Sequence, residues 1–152
     1  MNKVVFLDRD GTILEDSGFP FKEKDLCFIP YSFRALNNMQ SIGFRIVIVT
    51  NQSAVAKGVI TIDELENDHK KLEYHFGLKQ AYFDRIYFCP YHPEKGFQGE
   101  VKKFKKKSSW RKPDNGMFLQ AIKDLNINTK KSYMIGDQAV DYYSAKKTGI
   151  PC

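Results

Sequence analysis

Short apolar runs and amphipathic segments alternate along this 152-residue chain. The apolar runs are rich in β-branched and aromatic residues, as buried strands are, and they lie at 4–7, 44–49, 86–89 and 132–135. The amphipathic segments repeat their apolar positions every three or four residues, as helices do, and they lie at 31–42, 61–76, 113–125 and 139–147. This alternation predicts an α/β, Rossmann-like fold with a mainly parallel sheet and helices on both faces.

Two longer segments interrupt the alternation. Residues 8–29 hold glycines, prolines and scattered charges, which predicts a loop with a small hairpin. Residues 90–111 show no hydrophobic period and are predicted to form a second loop. Because the length is that of one domain, we expect residues 1–152 to form a single domain that carries the 90–111 loop as an insertion.

The net charge of +6 is concentrated in one segment. Residues 95–112 hold eight basic residues and one acid, which leaves a net charge of −1 on the rest of the chain. Any anionic partner is therefore expected to meet this segment, with a solvated lysine-rich surface at Lys102–Lys107 as the alternative. Disorder is excluded as the main state, because 21 aromatic residues are available to fill a core.

Nothing in the sequence indicates a membrane or an export route. No apolar run approaches the roughly 20 residues that cross a bilayer, and the N-terminus reaches Asp8 too early for a signal peptide. The three cysteines are odd in number and widely spaced, which favours reduced thiols. We therefore expect a cytoplasmic protein without membrane contacts.

Polar side chains cluster where the predicted strands end. Asp8 and Asp10 follow the first strand, and two carboxylates this close repel each other unless a cation lies between them. A hard divalent ion with oxygen ligands, usually Mg²⁺, fits such a pair. A carboxylate can also act as a covalent nucleophile, with its neighbour as acid and base. An exposed acidic turn remains the alternative for this pair alone.

Three further clusters follow the other strands or open a helix. Thr50 offers a hydroxyl to an anion, and Lys112, just before Pro113, adds an ammonium at a predicted helix start. Asp137 supplies another carboxylate for a metal, with Asp141 as a supporting acid one helical turn later. Each cluster alone also fits an ordinary turn or surface, but their joint position at the strand ends favours a phosphate site.

The chain resembles the haloacid-dehalogenase-like phosphohydrolases. The motifs that carry the resemblance are Asp8-Arg9-Asp10-Gly11-Thr12, Thr50-Asn51-Gln52, Arg111-Lys112-Pro113 with Gly116-Met117, and Gly136-Asp137 with Asp141. They look most like the capless branch that contains heptose bisphosphate and histidinol-phosphate phosphatases. Forty residues separate Asp10 from Thr50 and 62 separate Thr50 from Lys112, so the predicted elements leave no room for a cap domain.

The resemblance implies a catalytic group made of Asp8, Asp10, Thr50 and Lys112. Asp8 is expected to attack phosphorus and form an aspartyl-phosphate. Asp10 is expected to protonate the leaving oxygen and then to activate water. Thr50 and Lys112 are expected to hold the phosphoryl oxygens, which agrees with the importance of positioning and charge neutralisation in phosphoryl transfer.

The resemblance also implies a metal and a substrate group. Mg²⁺ is expected on Asp8, on the main-chain oxygen of Asp10 and on Asp137. The expected substrate-binding residues are Asn51, Gln52 and Arg111. Because the site is capless, the loops at 13–29 and 90–111 are expected to recognise the leaving group, and we expect Lys95 and the Lys102–Lys107 run near its mouth.

Several positions depart from the family pattern. Many relatives hold zinc with a Cys-Pro-His-His-Pro stretch and two later cysteines, where this chain has Tyr91, Ser108 and Trp110. Cys89 is the only motif ligand that survives, so we do not expect zinc. His92 is expected in the loop or on the substrate side, and His69 and His75 as ordinary residues on a helix face.

The last two departures concern charge and length. Gln138 stands where relatives often have a lysine, so one cation near the phosphate is missing. Relatives continue with another strand after the position of Cys152, which indicates either a short form or an absent piece. A missing strand would expose a sheet edge and favour pairing with another chain.

The favoured function is hydrolysis of a phosphorylated sugar, such as heptose 1,7-bisphosphate. Within enzymes, the alternatives are histidinol phosphate and a 3′-phosphorylated polynucleotide end, since polynucleotide phosphatases share the Thr-Asn-Gln and Arg-Lys-Pro elements. A non-catalytic binding module is the third hypothesis, and the intact aspartates and Lys112 oppose it. The expected partner is therefore a small phosphorylated metabolite, with nucleic acid not favoured.

Overall fold

Four parallel strands form the sheet at the centre of the fold. The computed structural model describes residues 1–16 and 26–152 of the chain. Its strands are β1 (Val4–Leu7), β2 (Arg45–Asn51), β3 (Arg85–Cys89) and β4 (Tyr133–Ile135). They pair in the order β3-β2-β1-β4, and every pair is parallel. The carboxyl ends of all four strands therefore meet at one edge of the sheet.

Helices cover both faces of this sheet, as predicted. They are α1 (Ser32–Ser41), α2 (Ile62–Gly77), α3 (Gly116–Leu125) and α4 (Ala139–Lys147). Side chains alternate along β1, so Val5 and Leu7 pack with α1 and α2, and the opposite face packs with α3 and α4. Among the described residues, only loops and short 3₁₀ turns connect these elements, as expected for a fold without a cap domain.

The start of α2 confirms the predicted helix signal. The Thr61 hydroxyl accepts the Glu64 backbone N–H at 3.2 Å, and the Glu64 carboxylate accepts the Thr61 N–H at 2.8 Å. This reciprocal pair satisfies two backbone donors that the first turn leaves open. The helix then ends at Gly77, also as predicted.

The predicted start of the third helix is wrong by three residues. The helix begins at Gly116, because residues 111–114 form a turn in which the Asp114 N–H donates to the Arg111 carbonyl at 2.8 Å. A proline disfavours helical backbone in the residue before it, here Lys112. A side-chain carbon at position 116 would lie 2.6 Å from the Ser109 carbonyl oxygen, so glycine is required there. Lys112 therefore lies in a turn, and not at a helix start.

The two predicted loops are present, each with a little regular structure. A short antiparallel pairing joins 13–15 to 27–29, with the Glu15 N–H donating to the Cys27 carbonyl at 2.8 Å. Residues 17–25, which include the tip of the predicted hairpin, lie outside the described residues. The second loop contains one 3₁₀ turn at Lys102–Phe104. Across the described ranges, the helices are all too short or too polar to span a bilayer.

Leu72 provides a direct test of the core between the sheet and α2. It is fully buried, and the Leu72→Ala change leaves a cavity that should lower the free energy of unfolding by about 2–5 kcal/mol. Leu119, which is 53% exposed on α3, is the matched control, and Leu119→Ala should cost about 0.5 kcal/mol or less. Urea unfolding of both variants measures the difference, and equal losses would contradict this packing.

Candidate active site

The strand ends border a cavity of about 200 Å³. Its lining is polar, and most of it comes from the motifs predicted to carry the chemistry. The lining residues are Asp8, Arg9, Asp10, Asp16, Thr50, Asn51, Ser53, Arg111, Lys112, Gln138 and Val140. The topology thus brings together residues from β1, β2 and the turn before α3, because parallel strands end at the same edge.

Lys112 lies at the centre of this arrangement and is 2% exposed. Its Nζ donates to the Asp141 carboxylate at 2.5 Å and to the Val49 carbonyl at 2.8 Å, and it lies 3.1 Å from Asp8 Oδ1. The Asn51 amide holds the Lys112 backbone from both sides, accepting its N–H and donating to its carbonyl at 3.0 Å each. Contacts of both the side chain and the backbone of Lys112 therefore hold the ammonium group in place.

Asp8 presents a buried carboxylate to the cavity. Its Oδ1 accepts the Arg9 backbone N–H at 2.7 Å, and the residue is 7% exposed. Burial raises the pKa of the Asp8 carboxyl, the Lys112 ammonium opposes this shift, and the Asp141 carboxylate adds to it. An ionised Asp8 thus costs free energy here unless further positive charge is nearby.

Three carboxylates converge beside Lys112. Oxygens of Asp8, Asp137 and Asp141 all lie within 4.8 Å of one another. Burial, and the charge of Asp141, raise the pKa of Asp137 as well. A side-chain carbon at Gly11 would collide with the Asp137 carboxylate, and one at Gly136 with Asp141, so both glycines leave room for this approach. Clustered hard oxygen donors fit a divalent cation such as Mg²⁺.

The Asp10 carboxylate has different contacts from those of the three clustered carboxylates. The Arg9 guanidinium grips both of its oxygens, with Nε to Oδ1 and NH2 to Oδ2 at 3.0 Å each. Gln52 adds a third donor, from Nε2 to Oδ2 at 2.9 Å. The Asp10 carboxylate therefore lies apart from the three-carboxylate cluster, which leaves only its main-chain oxygen as a candidate ligand.

Thr50 and Gln52, from the second motif, lie at different depths relative to the cavity. Thr50 lines the cavity, and its hydroxyl accepts from Gln52 Nε2 at 2.9 Å. Gln52, expected to meet the substrate, does not line the cavity, because it is 2% exposed and its amide is engaged with Arg9, Asp10 and Thr50. Its position suits a residue that holds the neighbouring site residues in place without lining the cavity itself.

Arg111 is the residue of the 90–111 loop that lines the cavity. Its NH1 donates to the Tyr91 carbonyl at 3.3 Å, and burial lowers the pKa of its guanidinium. Lys95 and the Lys102–Lys107 run do not line the cavity. Within that run, Lys105 lies under Phe97, and its ammonium is 3.8 Å from Glu100. The expected approach of this run to the mouth therefore has no support in the cavity lining and stays a prediction.

His69 is one of the residues around the site that the sequence analysis missed, together with Asp16, Ser53 and Val140 in the cavity lining. It was expected on an ordinary helix face, yet it is 5% exposed and its Nε2 lies 3.2 Å from Arg9 NH1. The signal was present in the sequence, since Leu65, His69, Leu72 and Phe76 form one buried stripe of α2. A histidine in such a stripe needs a buried polar partner, which here is Arg9.

The positions that depart from the family pattern lie as follows. The Cys89 thiol is buried and lies 3.9 Å from the Tyr91 carbonyl oxygen. His92 is near Glu94, at 3.9 Å between Nε2 and the carboxylate. Gln138 lines the cavity, and its backbone N–H donates to Asp141 Oδ2 at 3.1 Å. The absence of zinc remains a prediction.

This fold and this constellation are those of the haloacid-dehalogenase-like phosphatases, and the chain belongs to that family. The family model for polynucleotide kinase 3 phosphatase matches residues 3–149. The chain is 40% identical over 151 residues to D-glycero-β-D-manno-heptose-1,7-bisphosphate 7-phosphatase of Haemophilus ducreyi, covering 97% of this chain and 79% of the relative. The corresponding Vibrio cholerae protein is 38% identical over 146 residues, covering 96% and 76%.

A solved structure supports the same assignment. D,D-heptose 1,7-bisphosphate phosphatase from B. bronchiseptica, complexed with magnesium and phosphate, superposes with a TM-score of 0.82. It is 26% identical, and the match covers 97% of this chain and 77% of that one. The predicted fold class and family are confirmed, and the enzyme class is phosphatase.

The carboxylate cluster predicts a stability effect of Mg²⁺. A cation that binds only the folded state should stabilise it by about 2.7 kcal/mol at a hundredfold excess over Kd, which raises Tm by several degrees. Asp137→Asn should shrink this increase, because Asp137 is exposed and supplies one of the three carboxylates. Glu66→Gln, an exposed acid on α2, is the control and should keep it. A Tm that Mg²⁺ leaves unchanged in the unaltered protein would contradict the site.

Proposed function

We propose that this phosphatase hydrolyses phosphate monoesters through an aspartyl-phosphate on Asp8, with Mg²⁺ as cofactor and a phosphorylated sugar as substrate. The observation that carries the proposal is the buried contact of Lys112 with Asp8 at the carboxyl edge of the sheet, 3.1 Å between Nζ and Oδ1. A fixed ammonium beside a buried carboxylate suits an anionic phosphoryl group that enters from the cavity.

The first step transfers the phosphoryl group to the enzyme. A carboxylate oxygen of Asp8 attacks phosphorus, and the bond from phosphorus to the sugar oxygen breaks. Asp10 gives its proton to that departing oxygen, so the sugar leaves as a neutral alcohol. The Lys112 ammonium and the Thr50 hydroxyl hold the phosphoryl oxygens during the transfer, and the Asn51 amide keeps Lys112 in position.

The second step returns the enzyme to its starting state. Asp10, now ionised, takes a proton from a water molecule as the water oxygen attacks the phosphorus of the aspartyl-phosphate. The bond between phosphorus and Asp8 breaks, which releases inorganic phosphate and the Asp8 carboxylate. Asp8, Asp137 and the main-chain oxygen of Asp10 would hold Mg²⁺, which would supply the positive charge that lets two anions approach. Asp141 supports these metal ligands and orients Lys112.

The Asp8→Asn variant tests the covalent step. An amide oxygen is a poor nucleophile, so turnover of any phosphate monoester should fall by several orders of magnitude. Asp114→Asn, an exposed aspartate paired with Lys147, is the control and should keep its activity. Phosphate release from p-nitrophenyl phosphate measures both variants. Activity that survives in Asp8→Asn would refute the proposed nucleophile.

The proposed substrate is a sugar that carries two phosphates, most simply a heptose 1,7-bisphosphate. Relatives near 40% identity are heptose-1,7-bisphosphate 7-phosphatases, and Arg111 brings a guanidinium to the cavity. A guanidinium fork binds phosphate oxygens well, so it suits a second phosphate better than an alcohol. Histidinol phosphate carries an amine in place of the second anion, which Arg111 should disfavour.

A polynucleotide 3′-phosphate is the second candidate. The observation that favours it is the match to the polynucleotide kinase 3 phosphatase family model. The lysines at 102–107 do not line the cavity, so their charge gives this candidate no direct support at the site. We therefore place the sugar bisphosphate first.

The Arg111→Ala variant tests the second phosphate. Its kcat/KM should fall more for the heptose 1,7-bisphosphate than for p-nitrophenyl phosphate, which has no second anion, by about tenfold or more. Arg85→Ala is the control, because Arg85 is exposed at the opposite end of β3. Equal losses on both substrates would contradict the assigned role. Faster turnover of histidinol phosphate or of a 3′-phosphorylated oligonucleotide would replace the substrate and leave the phosphatase chemistry intact.

A further inference from the structure

Three buried side chains form a connected group with Asp10, and one of them, Arg9, also lines the cavity. Arg9 and Gln52 touch the Asp10 carboxylate directly, and His69 touches Arg9. All three are at most 5% exposed. Each of these side chains is polar, and burying a polar side chain costs free energy unless it is hydrogen-bonded. Their mutual contacts therefore need an explanation.

The contacts of the Arg9 guanidinium determine what His69 does. Nε and NH2 donate to Asp10, and NH2 also donates to Gln52 Oε1 at 3.0 Å. NH1 lies 3.2 Å from His69 Nε2. A guanidinium has only donors, so His69 Nε2 must accept, which requires a neutral ring with its proton on Nδ1. Burial and the Arg9 charge lower the pKa of His69 to about 3, in agreement with a neutral acceptor.

This contact fixes the plane of the guanidinium. A planar fork that loses the acceptor at NH1 can tilt about its contacts with Asp10 and Gln52 and carry the Asp10 carboxylate with it. His69 accepts at the opposite nitrogen, and its own ring packs on Phe88 with 5.5 Å between ring centroids. The helix α2 therefore sets the orientation of Asp10 through Arg9, although it contributes no side chain to the cavity lining.

We propose that His69 is a positioning residue that aims the Asp10 carboxyl for proton transfer by anchoring Arg9. Asp10 Oδ2 accepts from both Arg9 and Gln52, whereas Oδ1 accepts from Arg9 alone among the described residues. Oδ1 is thus the oxygen that gives the proton to the departing sugar oxygen and later takes one from water. This role rests on the proposed function, which assigns the acid and base chemistry to Asp10.

The experiment compares two substrates that differ in how much they need the acid. An alkyl phosphate such as glycerol phosphate must have its leaving oxygen protonated, whereas p-nitrophenyl phosphate leaves as a stabilised phenolate. In His69→Leu, the ratio of kcat/KM for the alkyl ester to kcat/KM for the aryl ester should fall by about tenfold or more, since a positioned general acid contributes about 10²–10⁴-fold to the first step, which kcat/KM reports. KM should change little, because His69 does not touch the cavity.

Two further variants separate positioning from a loss of packing. His69→Gln offers a carbonyl oxygen at a similar reach and should restore most of the ratio, whereas the shorter His69→Asn should not. His75→Leu, on the same helix, is the control and should keep both rates. Should His69→Leu fail to fold, the contrast between His69→Gln and His69→Asn gives the same test.

Asp10→Asn distinguishes the two levels of the account. If this variant loses kcat/KM equally on both esters, the acid role of Asp10 in the proposed function is wrong, because kcat/KM is insensitive to the second step, which both esters share. If Asp10→Asn shows the expected fall in the ratio but His69→Leu and His69→Asn do not, the function stands and the positioning role of His69 is overturned. A fall in His69→Leu that His69→Gln does not reverse would also overturn it, since restoring the acceptor would then have no effect.

Discussion

The site depends on one buried ammonium group that touches two carboxylates. Lys112 lies between Asp8 and Asp141 with almost no exposure, and removing any member would leave uncompensated charge in a buried place. Nζ binds the Val49 carbonyl of β2 and the Asp141 carboxylate of α4, and Asn51 holds the Lys112 backbone. The end of β2, the turn before α3 and the start of α4 are therefore tied to one residue. An arrangement of buried charges that costs free energy is thereby kept in a single geometry.

The sequence was sufficient to predict the fold and the location of the site. Buried apolar runs alternating with amphipathic helices specify a parallel sheet, and a parallel sheet brings the ends of its strands together. This rule predicts the positions of Asp8, Thr50 and Asp137, because each lies at or just after the carboxyl end of a strand. The capping box at Thr61 was equally visible, since it depends on residues only three positions apart.

What the sequence did not predict depends on contacts between distant segments. The start of α3 was misplaced because the 111–114 turn is set by its bonds to Ser108 and Asn51, not by the proline alone. The helical stripe of α2 marks His69 as buried, but only the fold shows that its partner is Arg9 and that Gln52 contacts Asp10. The lysine run was expected near the cavity on charge alone, whereas packing on aromatic rings decides where Lys105 lies.

The central claim is that Asp8 attacks phosphorus, and the stereochemistry of hydrolysis tests it most directly. A phosphorothioate ester made chiral with two oxygen isotopes would be hydrolysed in water that carries the third isotope, and the configuration of the released thiophosphate determined by NMR. Each in-line displacement inverts the phosphorus centre, so attack by Asp8 followed by attack by water predicts overall retention. Overall inversion would mean that water attacks the ester directly and would contradict a phosphorylated Asp8.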